Sequence, residues 1–484
     1  MIMSEKSLKE KALKGFAWSS FDKTLQQVII IVCGILLARR LFDYDYGLIG
    51  TLSIFTYMAN ALQEGGFTSA LIRKKNANES DYNTVFYTNI FVAVVLYVVL
   101  FFSASFLSSF YEEPVLKNLS RFIFLSFVFN ALGMVQYAQI VKKIDYKSLA
   151  KVNLFSTILS YGLALFLAYS GYGPWAVATL FVATSGFKTL FLWIFNKWKP
   201  NLIFSKASLF ELFAFSSKIL MSSILNAITN NIIPSIVGKY YSISQTGYYT
   251  QANRWFNSAS EVLIGSISNV TYPVLVEGES RLKKITRKII RIIVFITFPS
   301  FLLLALVAKP FIICLLGEKW MGSAPILQIL CLGGVFYALS LVMGHVFKVK
   351  GMSNLILRFE IIKNILILTI ITLCVLMRAN YLYMIGGLSF VFFVTFILQF
   401  AVCRKLIEYK YTELIKDIFP YFVIAIIAVG LGYLLVFIIE NQWVLLFSQV
   451  FIIVATYLFI AWLSGSVLIK EIIQIIKTRK LNAA

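Results

Sequence analysis

The stretch SSFDKTLQQVIIIVCGILLARRL, residues 19–41, determines the class of this protein. Its second half is an apolar run that ends in two arginines, which is typical of a membrane-spanning helix. Its first half carries Asp22, Lys23, Gln26 and Gln27, and a charge at the centre of a bilayer costs at least a few kcal/mol. We therefore expect an amphipathic membrane helix whose polar side chains face other helices or a water-filled cavity.

The rest of the chain has the composition of a multi-pass membrane protein. Of its 484 residues, 59% are hydrophobic and 14% are charged, whereas soluble domains carry about 25% charged residues. The mean hydropathy is +0.82. Apolar stretches of about 20 residues predict an all-α protein with fourteen transmembrane helices. They lie at residues 14–39, 46–67, 84–108, 117–140, 148–170, 174–196, 210–236, 246–274, 287–308, 324–347, 354–377, 381–403, 418–439 and 443–466.

The net charge of +22 reflects membrane topology. If the N-terminus is cytoplasmic, most of the 44 Lys and Arg residues fall in segments predicted to lie inside. This asymmetry follows the positive-inside rule and predicts fourteen spans with both termini in the cytoplasm. Nucleic acid is therefore not an expected partner. The basic residues in the predicted outside loops are Arg39, Arg40, Lys117, Lys239, Lys309, Lys319 and Arg378.

Cysteine and histidine usage argues against metal and disulfide chemistry. The one histidine, His345, lies in no metal-binding motif and is expected to be structural. The cysteines show no paired spacing, so we expect lone thiols. The sequence thus predicts neither a metal site nor an organic cofactor. The cysteines are Cys33, Cys314, Cys331, Cys374 and Cys403.

Two halves of the chain resemble each other at an offset of about 200 residues. GFAWSS at 15–20 matches LFAFSS at 212–217, and ARRLFDYDYG at 38–47 aligns with GKYYSISQTG at 238–247. Six predicted helices fit in each half, and an even number returns the chain to the same side of the membrane. We therefore expect parallel repeats related by an axis along the membrane normal, as in transporters that bind substrate between their halves.

The repeat predicts the domain organisation. We expect an N-lobe at residues 1–206 with helices 1–6 and a C-lobe at 207–410 with helices 7–12. Residues 411–484 would hold helices 13 and 14 and a cytoplasmic tail. These two helices lie outside the repeat and carry few polar residues, so we expect them to face lipid.

Polar residues concentrate on the first two helices of each half. At a spacing of 3.6 residues they form single faces. Repeat and polarity together predict a V-shaped pair of lobes whose helices 1, 2, 7 and 8 line a central, water-filled cavity. The candidate residues on these faces are Asp22, Lys23, Gln26, Gln27, Asn60, Glu64, Lys218, Asn226, Asn253, Arg254, Asn257 and Glu261.

Charges within membrane helices can also be structural. Glu360 and Lys363, three residues apart, can pair with each other, and long basic side chains can extend to the interface. Asp22 lies roughly 12 Å from the start of its helix at 1.5 Å per residue, which is too deep for its short side chain to reach water. For Asp22, Lys23 and Arg254, both a structural and a functional role stay open.

The segments ARRLFDYDYGLIG (38–50) and GGFTSALIRKK (65–75) resemble the N-terminal signature of Wzx-type polysaccharide flippases. These flippases share a superfamily with lipid II flippases and multidrug MATE antiporters. The resemblance implies ion-coupled alternating access that moves undecaprenyl-diphosphate-linked oligosaccharide units from the cytoplasmic to the periplasmic leaflet, for O-antigen or other surface polysaccharide. It implies a transporter and not an enzyme. The partners implied are the lipid-linked oligosaccharide, the membrane and other proteins of polysaccharide assembly.

The resemblance also implies a cationic cavity with charges on helices 1, 2 and 8. Lys23, beside Asp22, and Arg254 stand at matching places, whereas helix 2 offers Asn60 and Glu64 in place of a basic residue. A diphosphate in a low-dielectric cavity needs cationic hydrogen-bond donors. We assign diphosphate binding to Lys23, Arg254 and Lys218, sugar binding to Gln26, Gln27, Asn60, Asn226, Asn253 and Asn257, and H+ or Na+ coupling to Asp22, Glu64 and Glu261.

Two other functions stay open. A multidrug antiporter of the same fold would favour an acidic or aromatic cavity for cationic drugs, whereas these helices also carry basic residues. A membrane polymerase or ligase of polysaccharide would need sizeable periplasmic loops for catalysis. The longest outside loop predicted here is short, at about 309–323.

Overall fold

The computed structural model describes residues 5–58, 67–74, 76–278 and 281–465. Every regular element within these ranges is a helix, because long apolar segments must satisfy their backbone hydrogen bonds internally. Contacts between residues divide the chain into two compact units, Met1–Thr250 and Gln251–Ala484. This division reflects which helices pack together and does not test the sequence repeat. The predicted repeat boundary at residue 206 stays a prediction.

Within the described residues, the first unit consists mainly of long helices, with α2 and α3 as shorter ones. The side chains of Asn78, Asp145 and Ser205 each accept a hydrogen bond from the backbone N–H three residues later and so begin the helices that follow them. The helices are α1 (Glu5–Arg40), α2 (Asp43–Thr51), α3 (Phe67–Arg73), α4 (Glu79–Tyr111), α5 (Val115–Lys142), α6 (Tyr146–Tyr169), α7 (Pro174–Phe195), α8 (Lys206–Tyr240) and the beginning of α9 (Ile243–Ser260).

Packing in the first unit is built around α4–α7. Helix α5 packs against α4 and α7, α7 packs against α6, and α1 lies along α6. A core cluster that includes Phe67, Phe86, Met134 and Leu212 joins α3, α4, α5 and α8. Lys142, at the end of α5, joins α5 to the end of α3, because its Nζ donates to the carbonyl oxygens of Leu71 and Lys74.

The second unit continues α9 through a π-helical turn, Glu261–Gly265, into α10 (Ser266–Glu277). Helix α11 packs against α12, α15 and α16, while α14 packs against α12 and α13. Val307, Cys314 and Leu446 form a buried cluster between α11 and α16. The remaining helices are α11 (Leu282–Leu316), α12 (Ser323–Val349), α13 (Ser353–Leu376), α14 (Tyr381–Ile407), α15 (Tyr411–Leu434) and α16 (Gln442–Leu463), with 3-10 turns at Glu318–Trp320 and Leu435–Phe437.

A network of charged side chains, here called the α11–α15 charge network, attaches α15 to α11. Arg287 donates to Asp417 at 2.7 and 3.1 Å and to Glu413 at 3.0 Å. Arg291 lies 2.6 Å from Asp417, which also accepts a hydrogen bond from the Tyr409 hydroxyl at 2.7 Å. Burial and this hydrogen bond raise the pKa of Tyr409, so its hydroxyl stays protonated and remains a donor.

Eleven helices in the described part of the chain are long and apolar enough to cross a membrane. The all-helical, multi-pass class is therefore confirmed. Three predicted spans are not among the eleven, at 46–67, 210–236 and 246–274. The first two include residues or side chains outside the described part of the structure. The third carries many polar residues and is interrupted by a π-helical turn at Glu261–Gly265. The count of fourteen and the two-lobe arrangement stay predictions.

Candidate functional site

In the polar half of α1, the carboxylate of Asp22 packs against α6. Asp22 is 8% exposed. Its Oδ1 accepts a hydrogen bond from Gln26 Nε2 at 2.7 Å, one helical turn away. Its Oδ2 accepts one from Asn153 Nδ2 on α6 at 2.9 Å. These two amides satisfy the carboxylate where the hydrocarbon of a membrane could not.

The neighbouring polar residues of α1 point elsewhere. Lys23 is exposed, and Gln27 is partly buried. Because adjacent residues on a helix lie about 100° apart, the charged pair in the sequence is divided between two environments. The carboxylate of Asp22 is held inside the first unit, whereas the ammonium of Lys23 is presented outward.

Several predicted site residues cannot be placed. Asn60 and Glu64 lie outside the described residues. Lys218 and Asn226 belong to α8, but their side chains are also outside the described part of the structure. Their assignments to diphosphate, sugar and cation binding stay predictions.

The site residues predicted for the eighth transmembrane span, 246–274, lie on α9 and at its end. Asn253 and Arg254 are partly buried, and Asn257 and Glu261 are exposed. Glu261 is also the first residue of the π-helical turn, which ends the regular α-helix at Ser260. π-helical turns inside membrane helices are frequent at functional sites. Nothing in the sequence predicted this turn, because residues 261–265 contain no proline.

Helices α2 and α9 cross in the first unit with their backbones in direct contact. A Cβ atom added to Gly47 would overlap the carbonyl oxygen of Ile243, and one added to Gly247 would overlap the carbonyl oxygen of Asp43. Gly47 corresponds to Gly247, and Asp43 to Ile243, at the repeat offset of 200 residues. The contact, here called the α2–α9 crossing, is therefore reciprocal: the glycine of each predicted repeat lies against the carbonyl group of the other.

The contact extends along the same helices. A Cβ atom at Gly50 would overlap the hydroxyl oxygen of Thr250, its counterpart at the same offset. Beside it, Ser235 Oγ on α8 donates to the Thr51 carbonyl oxygen of α2 at 3.0 Å. Small residues at these positions allow the helices to approach more closely than larger side chains would permit.

Charged groups surround the contact at the end predicted to lie outside. Lys239 Nζ lies 3.0 Å from Glu112 Oε1. The Tyr44 hydroxyl donates to Glu113 Oε2 at 2.5 Å. Burial and the adjacent Glu113 carboxylate raise the pKa of Tyr44 to about 12, so the hydroxyl remains a donor at neutral pH.

Two features of this region were not predicted from the sequence. Asn153 was not a candidate, because a single amide in an apolar helix gives no distinctive signal. The α2–α9 crossing was also missed, although the aligned glycines at 47 and 247 were visible. A search for equivalent small residues in both repeats would have marked it.

A family model for "Polysaccharide biosynthesis protein" matches residues 36–325, which include the α2–α9 crossing. The chain belongs to this family. The resemblance seen in the segment at 38–50 is thereby confirmed.

Two relatives align with this family member over most of the length of both chains. The teichuronic acid biosynthesis protein TuaB of Bacillus subtilis is 24% identical over 408 residues, 83% of each chain. The lipopolysaccharide biosynthesis protein WzxC of Escherichia coli is 22% identical over 447 residues, 90% of each chain.

Solved structures show the fold of this family member. A lipid II flippase, MurJ, in an inward closed conformation superposes with a TM-score of 0.78 at 16% identity, covering 93% of this chain and 99% of that one. An inward-facing multidrug resistance MATE family transporter of the MOP superfamily has a TM-score of 0.62 at 15% identity, with coverage of 81% and 98%. At these identities the likeness shows a shared fold.

Proposed function

We propose that this protein flips an undecaprenyl-diphosphate-linked oligosaccharide from the cytoplasmic to the periplasmic leaflet of the inner membrane, for surface polysaccharide biosynthesis. One observation carries the proposal: a member of a polysaccharide biosynthesis family has, over 93% of its length, the fold of a lipid II flippase. The many apolar helices give this family member the membrane location that such a substrate requires.

The diphosphate is the part of the substrate that most needs protein contacts. Two negative charges away from water are costly unless cationic donors pair with them. Lys23 is exposed and Arg254 is partly buried, so both side chains can reach a ligand beside their helices. We assign diphosphate binding to these two residues and to Lys218, and sugar hydroxyls to the amides already named on the polar helices.

Asp22 is the best-supported candidate for cation coupling. Its carboxylate is buried and held by Gln26 and Asn153. H+ or Na+ bound at the Asp22 carboxylate would neutralise a buried charge. Neutralisation would change how strongly α1 is held to α6. Glu64 and Glu261 remain further candidates for H+ or Na+ coupling.

The α2–α9 crossing supports alternating access between parallel repeats. A reciprocal contact at the repeat offset is what a two-fold axis along the membrane normal produces. In this proposal the crossing closes the outer side, and its helices separate when the site opens to the periplasm. The proposed architecture has fourteen membrane helices in two lobes around a central cavity, with both termini in the cytoplasm.

The test is the accessibility of the lipid-linked glycan to impermeant reagents at the outer leaflet. In cells without this protein and without a redundant transporter, we expect the glycan to stay on the cytoplasmic side. Unchanged display would refute the flippase. Sensitivity of the deletion strain to cationic drugs, with normal glycan display, would instead favour the multidrug antiporter whose fold is shared.

The site residues are tested by complementation. Arg254→Ala and Lys23→Ala should abolish glycan display while membrane protein levels stay normal. Lys117→Ala, an exposed basic residue in a predicted outside loop, is the matched control and should display glycan normally. Full activity of the first two variants would mean that their charges do not bind the diphosphate.

Coupling is tested by the dependence of transport on Na+ and pH. Asn153→Ala should shift the cation concentration that gives half-maximal transport, whereas the neighbouring exposed Lys151→Ala should not. An unchanged cation dependence in Asn153→Ala would exclude the α1–α6 carboxylate site from coupling.

A further inference from the structure

The segment between α7 and α8, residues 196–205, is rigidly held although it lacks regular structure. The backbone N–H of Asn201 donates to Asn83 Oδ1 at 2.6 Å, and that of Ser205 donates to Thr84 Oγ1 at 2.9 Å. Asn83 and Thr84 belong to the first turns of α4 and are fully buried. The indole of Trp198 adds a third attachment, a 2.9 Å hydrogen bond to Glu79.

Between these attachments the segment exposes an apolar tip. Leu202 is 95% exposed, Phe204 53% and Ile203 45%. A mobile loop could fold such side chains back onto the protein. Here buried polar side chains fix the backbone on both sides of the tip, so the apolar surface stays outward and is available to a partner.

The tip is surrounded by positive charge. Lys197, Lys199 and Lys206 are exposed, and residues 197–210 contain no acidic residue. Acidic side chains that pack nearby have partners: Glu79 accepts a hydrogen bond from the Trp198 indole, and Glu211 and Asp81 pair with Lys74 at 2.9 and 3.0 Å. The hydrogen bond from Lys74 to Glu211 raises the pKa of Lys74, which keeps this pair charged.

This combination of properties matches a lipid monolayer with anionic headgroups. Apolar side chains enter the acyl region, and flanking lysines bind phosphates at its surface. The location agrees, because Lys197 follows a helix apolar enough to span a membrane, which ends at Phe195. We propose that residues 197–206 form an interfacial anchor that inserts Leu202, Ile203 and Phe204 into the membrane and binds anionic phospholipid through its three lysines.

The depth of the anchor is measured directly. A nitroxide spin label is placed at position 202 of the full-length chain with its five cysteines replaced, and the protein is reconstituted in phosphatidylglycerol nanodiscs. We expect the label to collide more with oxygen than with a water-soluble nickel complex. The control is a label at Asn76, an exposed turn residue between α3 and α4, which should show aqueous accessibility. Aqueous accessibility at position 202 would overturn the anchor.

A second measurement uses the native cysteines. A photo-crosslinking amino acid at position 202, in cells, should capture phospholipid that mass spectrometry identifies. Capture of protein alone would show a protein-docking surface instead and would also overturn the anchor.

The charge requirement is tested by lipid composition. Replacing phosphatidylglycerol with phosphatidylcholine should lower the oxygen-to-nickel accessibility ratio at position 202 by about twofold or more. The K197Q/K199Q/K206Q variant should show no such dependence on composition. Equal ratios in both lipids for the unmodified lysines would refute anionic selectivity. All of these readouts are independent of transport, so the anchor can stand or fall separately from the flippase.

Discussion

The α2–α9 crossing and the α11–α15 charge network join helices by opposite means. At the crossing, glycine places backbone against backbone, and the attraction comes from close packing of small groups. In the network, the 2% exposed carboxylate of Asp417 is shared by two arginines and a tyrosine. The first junction depends on shape and the second on compensated charge.

This difference predicts which junction can move. Separating two packed glycine surfaces exposes little and leaves no charge without a partner. Separating α15 from α11 would leave a buried carboxylate unpaired, which is strongly unfavourable. We therefore expect the crossing to open during transport and the charge network to stay closed, keeping α15 and α16 attached to α11 throughout.

The most severe test adds one carbon atom to the crossing. Gly47→Ala or Gly247→Ala places a Cβ on a carbonyl oxygen of the other half, so α2 and α9 cannot approach fully. We expect transport to fall about tenfold or more, which corresponds to roughly 1.4 kcal/mol in a barrier, at normal membrane protein levels.

Gly162→Ala on α6 is the matched control, because no atom lies within 4 Å of a Cβ there. It should transport normally. Normal transport by both crossing variants would show that close approach of α2 and α9 is not required.

The charge network is tested by removing its central carboxylate. Asp417→Ala leaves Arg287 and Arg291 without their shared partner, and we expect the free energy of unfolding to fall by about 3 kcal/mol. The fall stays at the lower end for a buried pair because both arginines are partly exposed to solvent. The measurement is thermal unfolding in detergent. The exposed Glu440→Ala serves as control, and an equal melting temperature in both variants would contradict a stabilising role.

A smaller effect is expected from the hydrogen bond beside the crossing. Ser235→Ala removes the 3.0 Å bond to the Thr51 carbonyl oxygen, which is worth about 1 kcal/mol. Because this bond joins α8 to α2 beside the crossing, its loss should loosen α2, and cysteine accessibility from the outside at a reporter position on α2 should rise. No change in accessibility would place Ser235 outside the moving contact.

The smallest effect is expected at the surface pair. Lys239 and Glu112 are bonded at 3.0 Å, but the Glu112 side chain is 82% exposed. Lys239→Gln should change stability by less than about 1 kcal/mol, and salt should mask the difference. A larger loss in thermal unfolding would mean that charge also contributes to the crossing.

The sequence predicted the fold class and the amphipathic nature of α1 well, because hydropathy and helical spacing are local properties. It placed Asp22 on a polar face but could not find Asn153, which is 131 residues away and is brought close only by the packing of α1 on α6. The aligned segments of the repeat include Gly47 and Gly247. That these aligned positions are in contact depends on the packing of the two copies and not on the local sequence. The same dependence on packing hid the α11–α15 charge network, whose partners lie 126 to 130 residues apart.

The α2–α9 crossing also bears on the history of the chain. In a symmetric dimer, an isologous interface pairs each residue with the same patch on the second subunit. Gly47 on Ile243 and Gly247 on Asp43 reproduce that pattern within a single polypeptide. A half-length ancestor carrying one copy of the predicted repeat would have made this contact as a homodimer, with the glycine of each protomer against the backbone of its partner. Gene duplication and fusion would have preserved the backbone contact while freeing the two copies to diverge, so that Asp43 and Ile243 present different side chains around the same close approach.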